Sequence, residues 1–106
     1  MPIPLSTKTE QAASLLFKEP RLSRVKQRLI DEVSENIPFC ADQTPEGMER
    51  IRFSVLKLSA MDESGEDCAV QTAKRDWRDL FMSAGFGYSA TEHEKWFSSL
   101  PKQPAN

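Results

Sequence analysis

The chain is 106 residues long with 39% hydrophobic and 28% charged residues, enough apolar material for one core and too short for two. Fourteen Lys+Arg against sixteen Asp+Glu leave a net charge of −2, which removes the strongly basic balance of a typical nucleic-acid-binding domain but not a local basic patch. Two cysteines, Cys40 and Cys68, lack C-x-x-C spacing, so neither a zinc site nor a disulfide framework is indicated.

"MPIPLSTKTEQAASLLF" has no basic leader followed by a long apolar run, and no stretch approaches the roughly 18 apolar residues of a membrane helix. The expectation is a cytoplasmic protein forming one domain over 1–106, ordered at about 7–100 and frayed at 1–5 and 101–106.

Five helices are predicted. The first covers about 8–18, with Thr7 and Glu10 in capping-box spacing and Pro20 as the stop. The second covers about 21–36, where Leu22, Val25, Leu29, Ile30 and Val33 recur at helical spacing and Ile37 extends the stripe to Pro38. The third opens at "TPEGMERI": Thr44 can cap, Pro45 suits the first helical position and Glu46 complements the dipole. Met48, Ile51, Val55 and Leu58 share its apolar face, and Phe53 falls nearly opposite. "IRFSV" also alternates like a strand, but the start signals favour helix.

The fourth helix is expected over about 65–84, capped by Ser64 or Asp62, with Val70, Ala73, Trp77, Leu80, Phe81 and Ala84 inward. Gly85 stands where a left-handed residue would end it, with Phe86 folding back as in a Schellman cap. The fifth, about 90–99, starts from Ser89 or Thr91 and turns Trp96, Phe97 and Leu100 inward. The fold expected is therefore all-α, a compact single-domain bundle of four or five short helices.

Little in the sequence points to catalysis. The only histidine, His93 in "EHEK", reads as a solvated residue; a Cys40/His93 pair has no glycine-rich oxyanion segment to support it. The carboxylate pairs Asp31/Glu32, Asp62/Glu63 and Glu66/Asp67 fall on solvent faces or in a turn, not in a cleft with separated pKa values. No phosphate-binding loop, hydrolase elbow or dinucleotide fingerprint is present, and no cofactor or metal is implied.

Two features suggest binding. Arg21, Arg24 and Arg28 lie on one face of the second helix, and Asp31, Glu32 and Glu35 follow them. That order opposes the helix dipole, so the arginines are candidates for receiving a partner's carboxylate or a phosphate. Six of nine aromatic residues fall between 77 and 97, and Phe86 and Tyr88 at the turn "GFGYSA" are candidates for partial exposure at an interface. These five residues make the candidate site of a non-catalytic interaction module whose partner is another protein. The alternative is a helical nucleic-acid-binding regulator using Arg21, Arg24, Arg28 and some of Arg50, Arg52, Lys74 and Arg78 as one continuous face. Six acids against one base over 31–50 argue against it.

Overall fold

The computed structural model describes residues 3–34, 45–62, 64–87 and 91–100. Among the described residues there are six helices and no strand: α1 Thr7–Leu16, α2 Arg21–Glu32, α3 Pro45–Met61, α4 Gly65–Arg75, α5 Trp77–Ala84 and α6 Glu92–Ser99. The protein is all-α, and "IRFSV" is helix. Ile37, Pro38, Cys40, Thr44, Tyr88 and Ser89 fall outside the described residues.

α3 is the axis of the domain. It packs on α1, α4, α5 and α6, while α1 also packs on α2 and α4 on α5. Every side chain from Ile51 through Leu56 is buried. Phe53, expected opposite the apolar face, is as enclosed as Ile51 and Val55. A helix with neighbours on all sides has no solvent face for periodicity to mark. Its buried hydroxyls bond back along the helix, Ser54 Oγ to Arg50 O at 2.9 Å and Ser59 Oγ to Val55 O at 2.7 Å.

Arg52, from the middle of that run, is only 1% exposed. Its guanidinium donates to Val33 O at 2.9 Å, Pro4 O at 2.9 Å, Ile3 O at 2.7 Å and Ser34 Oγ at 2.9 Å, with Leu29 O further off at 3.4 Å. Ser34 Oγ also accepts from Ile3 N at 2.8 Å. The segment before α1 is thereby tied to the end of α2 at Ile3 and Pro4, where proline composition alone predicts fraying. Burial pushes Arg52 down to about 10, which leaves it charged at neutral pH.

The charge order of α2 now has an account. Glu19 stands at its positive end, where its carboxylate accepts from Ser23 N at 2.9 Å and Ser23 Oγ at 2.7 Å; these bonds hold its pKa below the ordinary carboxylate value. Arg52 stands at the negative end, on the carbonyls of Leu29 and Val33. Charges supplied from outside the helix satisfy the dipole that the helix's own residues oppose.

Two local predictions are revised, and a third is narrowed from two candidates to one. α1 is capped by Ser6, whose Oγ accepts from Thr9 N at 3.1 Å, rather than by Thr7. The long fourth helix is two helices, because Asp76 adopts an extended conformation (φ −157°, ψ 100°) and caps α5 by accepting from Arg78 N at 3.0 Å. At the start of α4 it is Asp62 whose side chain bonds, accepting from Ser64 N at 3.1 Å. Gly65 is required there, since a Cβ would lie 2.8 Å from Leu58 O.

The end of α5 follows the predicted cap. Gly85 has φ 83°, Phe86 N donates to Phe81 O at 2.9 Å and Gly85 N to Met82 O at 3.1 Å, the two bonds of a Schellman motif.

Candidate functional site

Residues 21, 24 and 28 are three and four apart, so the helical repeat brings the candidate arginines onto one side of α2. Across from them is the start of α4. Together Arg21, Arg24, Arg28, Ser64, Glu66 and Asp67 line a cleft of about 220 Å³.

The three arginines have different surroundings. Arg28 is the hub of a charge network: Nε donates to Glu32 Oε2 at 2.8 Å, Nη1 to Glu66 Oε2 at 3.3 Å and Nη2 to Asp67 Oδ1 at 2.6 Å. Lys74 Nζ closes it by donating to Glu32 Oε1 at 2.7 Å. Burial alone would lower the Arg28 pKa, but Asp67, Glu32 and Glu66 outweigh it and raise the pKa above the usual guanidinium value. Lys74 chiefly holds the Glu32 carboxyl below its ordinary range, and Arg28 chiefly does the same for Asp67.

Arg21 is half-buried. It donates to Ser59 O at 3.0 Å, stands 3.8 Å from Glu66 Oε1 and lies 4.7 Å above the Phe17 ring. Arg24 alone is exposed, and its guanidinium has no partner among the described residues. Two residues beyond the Ser59 carbonyl that Arg21 grips is Met61, the last residue of α3 and 72% exposed.

The aromatic half of the candidate site fares otherwise. Phe86 is 2% exposed, so it is a core residue and not an interface one. The Schellman cap folds it inward, against His93 (ring centroids 6.4 Å apart) and Trp96 (6.0 Å). Tyr88 lies outside the described residues.

His93 is a second correction. It is 4% exposed, not solvated, and its Nδ1 has no hydrogen-bond partner among the described residues. The charged neighbours Glu92, Glu94 and Lys95 mask in sequence a ring that the helix turns toward Phe53, 5.8 Å away. Beside this cluster Arg50 lies 4.0 Å over the Phe81 ring and donates to Gly87 O at 3.0 Å. No group of three His, Cys, Asp or Glu among the described residues is placed to hold a metal ion.

A wider groove of about 670 Å³ runs between α1 and α6, walled by Leu15, Phe97 and Leu100 with Lys26 and Glu10 paired at 3.8 Å. Among the described residues no helix is long and apolar enough to cross a membrane.

The basic residues do not form one surface. Arg52 is in the core, Arg50 is turned onto Phe81 and Gly87, and Lys74 and Arg28 are tied to Glu32. Comparison with known proteins finds no matching family model, no matching curated protein and no matching solved structure.

Proposed function

We propose that the protein is a small non-catalytic interaction module of the cytoplasm that binds another protein through the face of α2. The observation that carries this reading is Arg24, an exposed guanidinium without an intramolecular partner among the described residues, between Arg21 and Arg28, which the chain's own acids already hold. Arg24 is the arginine on this face whose guanidinium donors are, among the described residues, all left for a carboxylate of a partner. Exposed Met61, at the end of α3 near the Arg21 contact, adds the apolar component that protein interfaces favour. Nucleic acid fits this face less well, since Glu66, Asp67 and Glu32 interrupt the arginines with negative charge.

The test is affinity capture from the native cell with wild-type and Arg24→Glu baits, in lysates with and without nuclease. The expected result is a partner retained after nuclease treatment and lost with Arg24→Glu, whose thermal melt stays at the wild-type value. A partner retained equally by both baits refutes the assignment of the face. A partner released by nuclease favours the nucleic-acid alternative.

A further inference from the structure

We propose that α6 is an acid-released helix: protonation of His93 undocks Glu92–Ser99 from α3 and uncovers the aromatic face formed by Phe53 and Phe86.

The first ground is how α6 is held. Its hydrogen bonds and ion pairs among the described residues stay within itself and its cap, as in Lys95 to Glu92 and Ser99 to Trp96. Docking relies on rings. Phe53 stacks on Phe97 with centroids 5.4 Å apart, meets Trp96 edge-on at 5.4 Å and touches His93 at 5.8 Å. Phe86 meets His93 and Trp96 from the turn side. Of the rings at this junction, the imidazole is the one that takes up a proton near neutral pH.

The second ground is what a charge there would meet. His93 is buried between Phe53 and Phe86, and Nδ1 has no acceptor among the described residues to receive a new N–H. The charged groups that act on it are Glu49 and Arg50 from α3, Lys8 from α1 and Glu94 from its own helix. On the turn side Lys57 Nζ lies 5.1 Å over the Phe86 ring. Glu94 and Glu49 favour the imidazolium and Arg50 and Lys8 oppose it, so the carboxylates do not offset desolvation. Burial, the largest influence, holds the His93 pKa below its ordinary 6.5.

The sign follows. Docked α6 prefers neutral imidazole, so the released state binds more protons. Docking is at full strength above the ordinary pKa and weakens as pH falls through it, by up to about tenfold in the docked-to-released ratio per pH unit. The loss levels off once docked imidazole is itself protonated.

The experiment follows Trp96 emission in the full-length chain from about pH 7.5 to about pH 5, using Trp77→Phe so that Trp96 is the only tryptophan, together with amide exchange of α3 and α4. The expected result is a red shift of Trp96 with falling pH, while α3 and α4 keep their protection. His93→Leu should abolish the shift. Trp96 emission that does not change with pH overturns the proposal. So does an equal shift in His93→Leu, or loss of α3 and α4 protection together with it, which would be global acid unfolding. Should His93→Leu fail to fold, imidazole NMR of the His93 chain decides. The titration must lie below the ordinary histidine value and coincide with the Trp96 change, and a midpoint at or above that value refutes the mechanism.

Discussion

α2 and α6 are both peripheral helices, and they are fastened by different physics. α2 buries Val25, Leu29 and Val33 but is also fixed by charge: Glu19 at its start, Arg52 at its end, and the Arg28 network reaching across to α4. α6 has no such fastening among the described residues and leans its rings on Phe53. Directional polar bonds fix position and are lost when any partner is removed. Ring packing resists salt but yields when a ring acquires charge. The two ends of the molecule should therefore fail under different conditions.

The largest expected effect is at Arg52. Arg52→Ala removes the charge from the end of α2 and takes a donor from each of the carbonyls of Ile3, Pro4 and Val33 and from Ser34 Oγ, all within 3 Å of the guanidinium. The cost should be about 3 kcal/mol or more, since each buried acceptor that loses its donor costs about 1–3 kcal/mol. Chemical denaturation measures it. A midpoint within error of wild type would mean that α2 is held by apolar packing alone, and the contrast with α6 would collapse.

A smaller effect belongs to the turn that leads toward α6. Gly85→Ala places a β-carbon at φ 83° and should cost about 1 kcal/mol through left-handed strain. Because Gly85 aims Phe86 beneath His93 and Trp96, the variant should also bring the Trp96 acid transition to higher pH. An unchanged Trp96 profile alongside reduced stability would show that the cap does not contribute to α6 docking.

How much of this could be read from the residues depends on whether the cause is local. The Gly85–Phe86 cap, Pro45 at the head of α3 and the stripe of Val25, Leu29 and Val33 are written within one or two turns, and they are found where the sequence indicates. The Asp76 break had a signal too, an N-capping residue before Trp77, but the apolar stripe continues across it and conceals it. Periodicity misplaces Phe53 because it assumes a solvent face that a central helix lacks. Arg52 is buried by partners 18 to 49 positions away, and no window of sequence contains them. The candidate site divides the same way. Spacing places Arg21, Arg24 and Arg28 together, but only the fold brings Glu66 and Asp67 to Arg28 and leaves Arg24 without a partner among the described residues.

The smallest effect separates the two helices most cleanly. Glu32→Gln takes from the α2 network the carboxylate that both Arg28 and Lys74 use. Those groups are partly exposed, so the loss should be at most about 1 kcal/mol at low ionic strength and smaller still near 1 M salt, where the screening length falls to about 3 Å. Acid should leave the network standing well below neutrality. The Glu32 and Asp67 carboxyls are held below their ordinary values of 4.5 and 3.8, so their contribution is complete above those values and is lost only as pH falls through them toward the lower folded-state values. Near pH 5 the network is thus still charged, while a histidine of ordinary pKa is already protonated. Denaturation of wild type and Glu32→Gln at low and high salt, at about pH 7 and about pH 5, should give a difference that shrinks with salt and barely changes between those pH values. The Trp96 signal should show the opposite dependence, moving with pH and not with salt. A Glu32→Gln difference that disappears at the lower pH would tie the α2 network to the histidine after all and end the claim that the two helices are fastened independently.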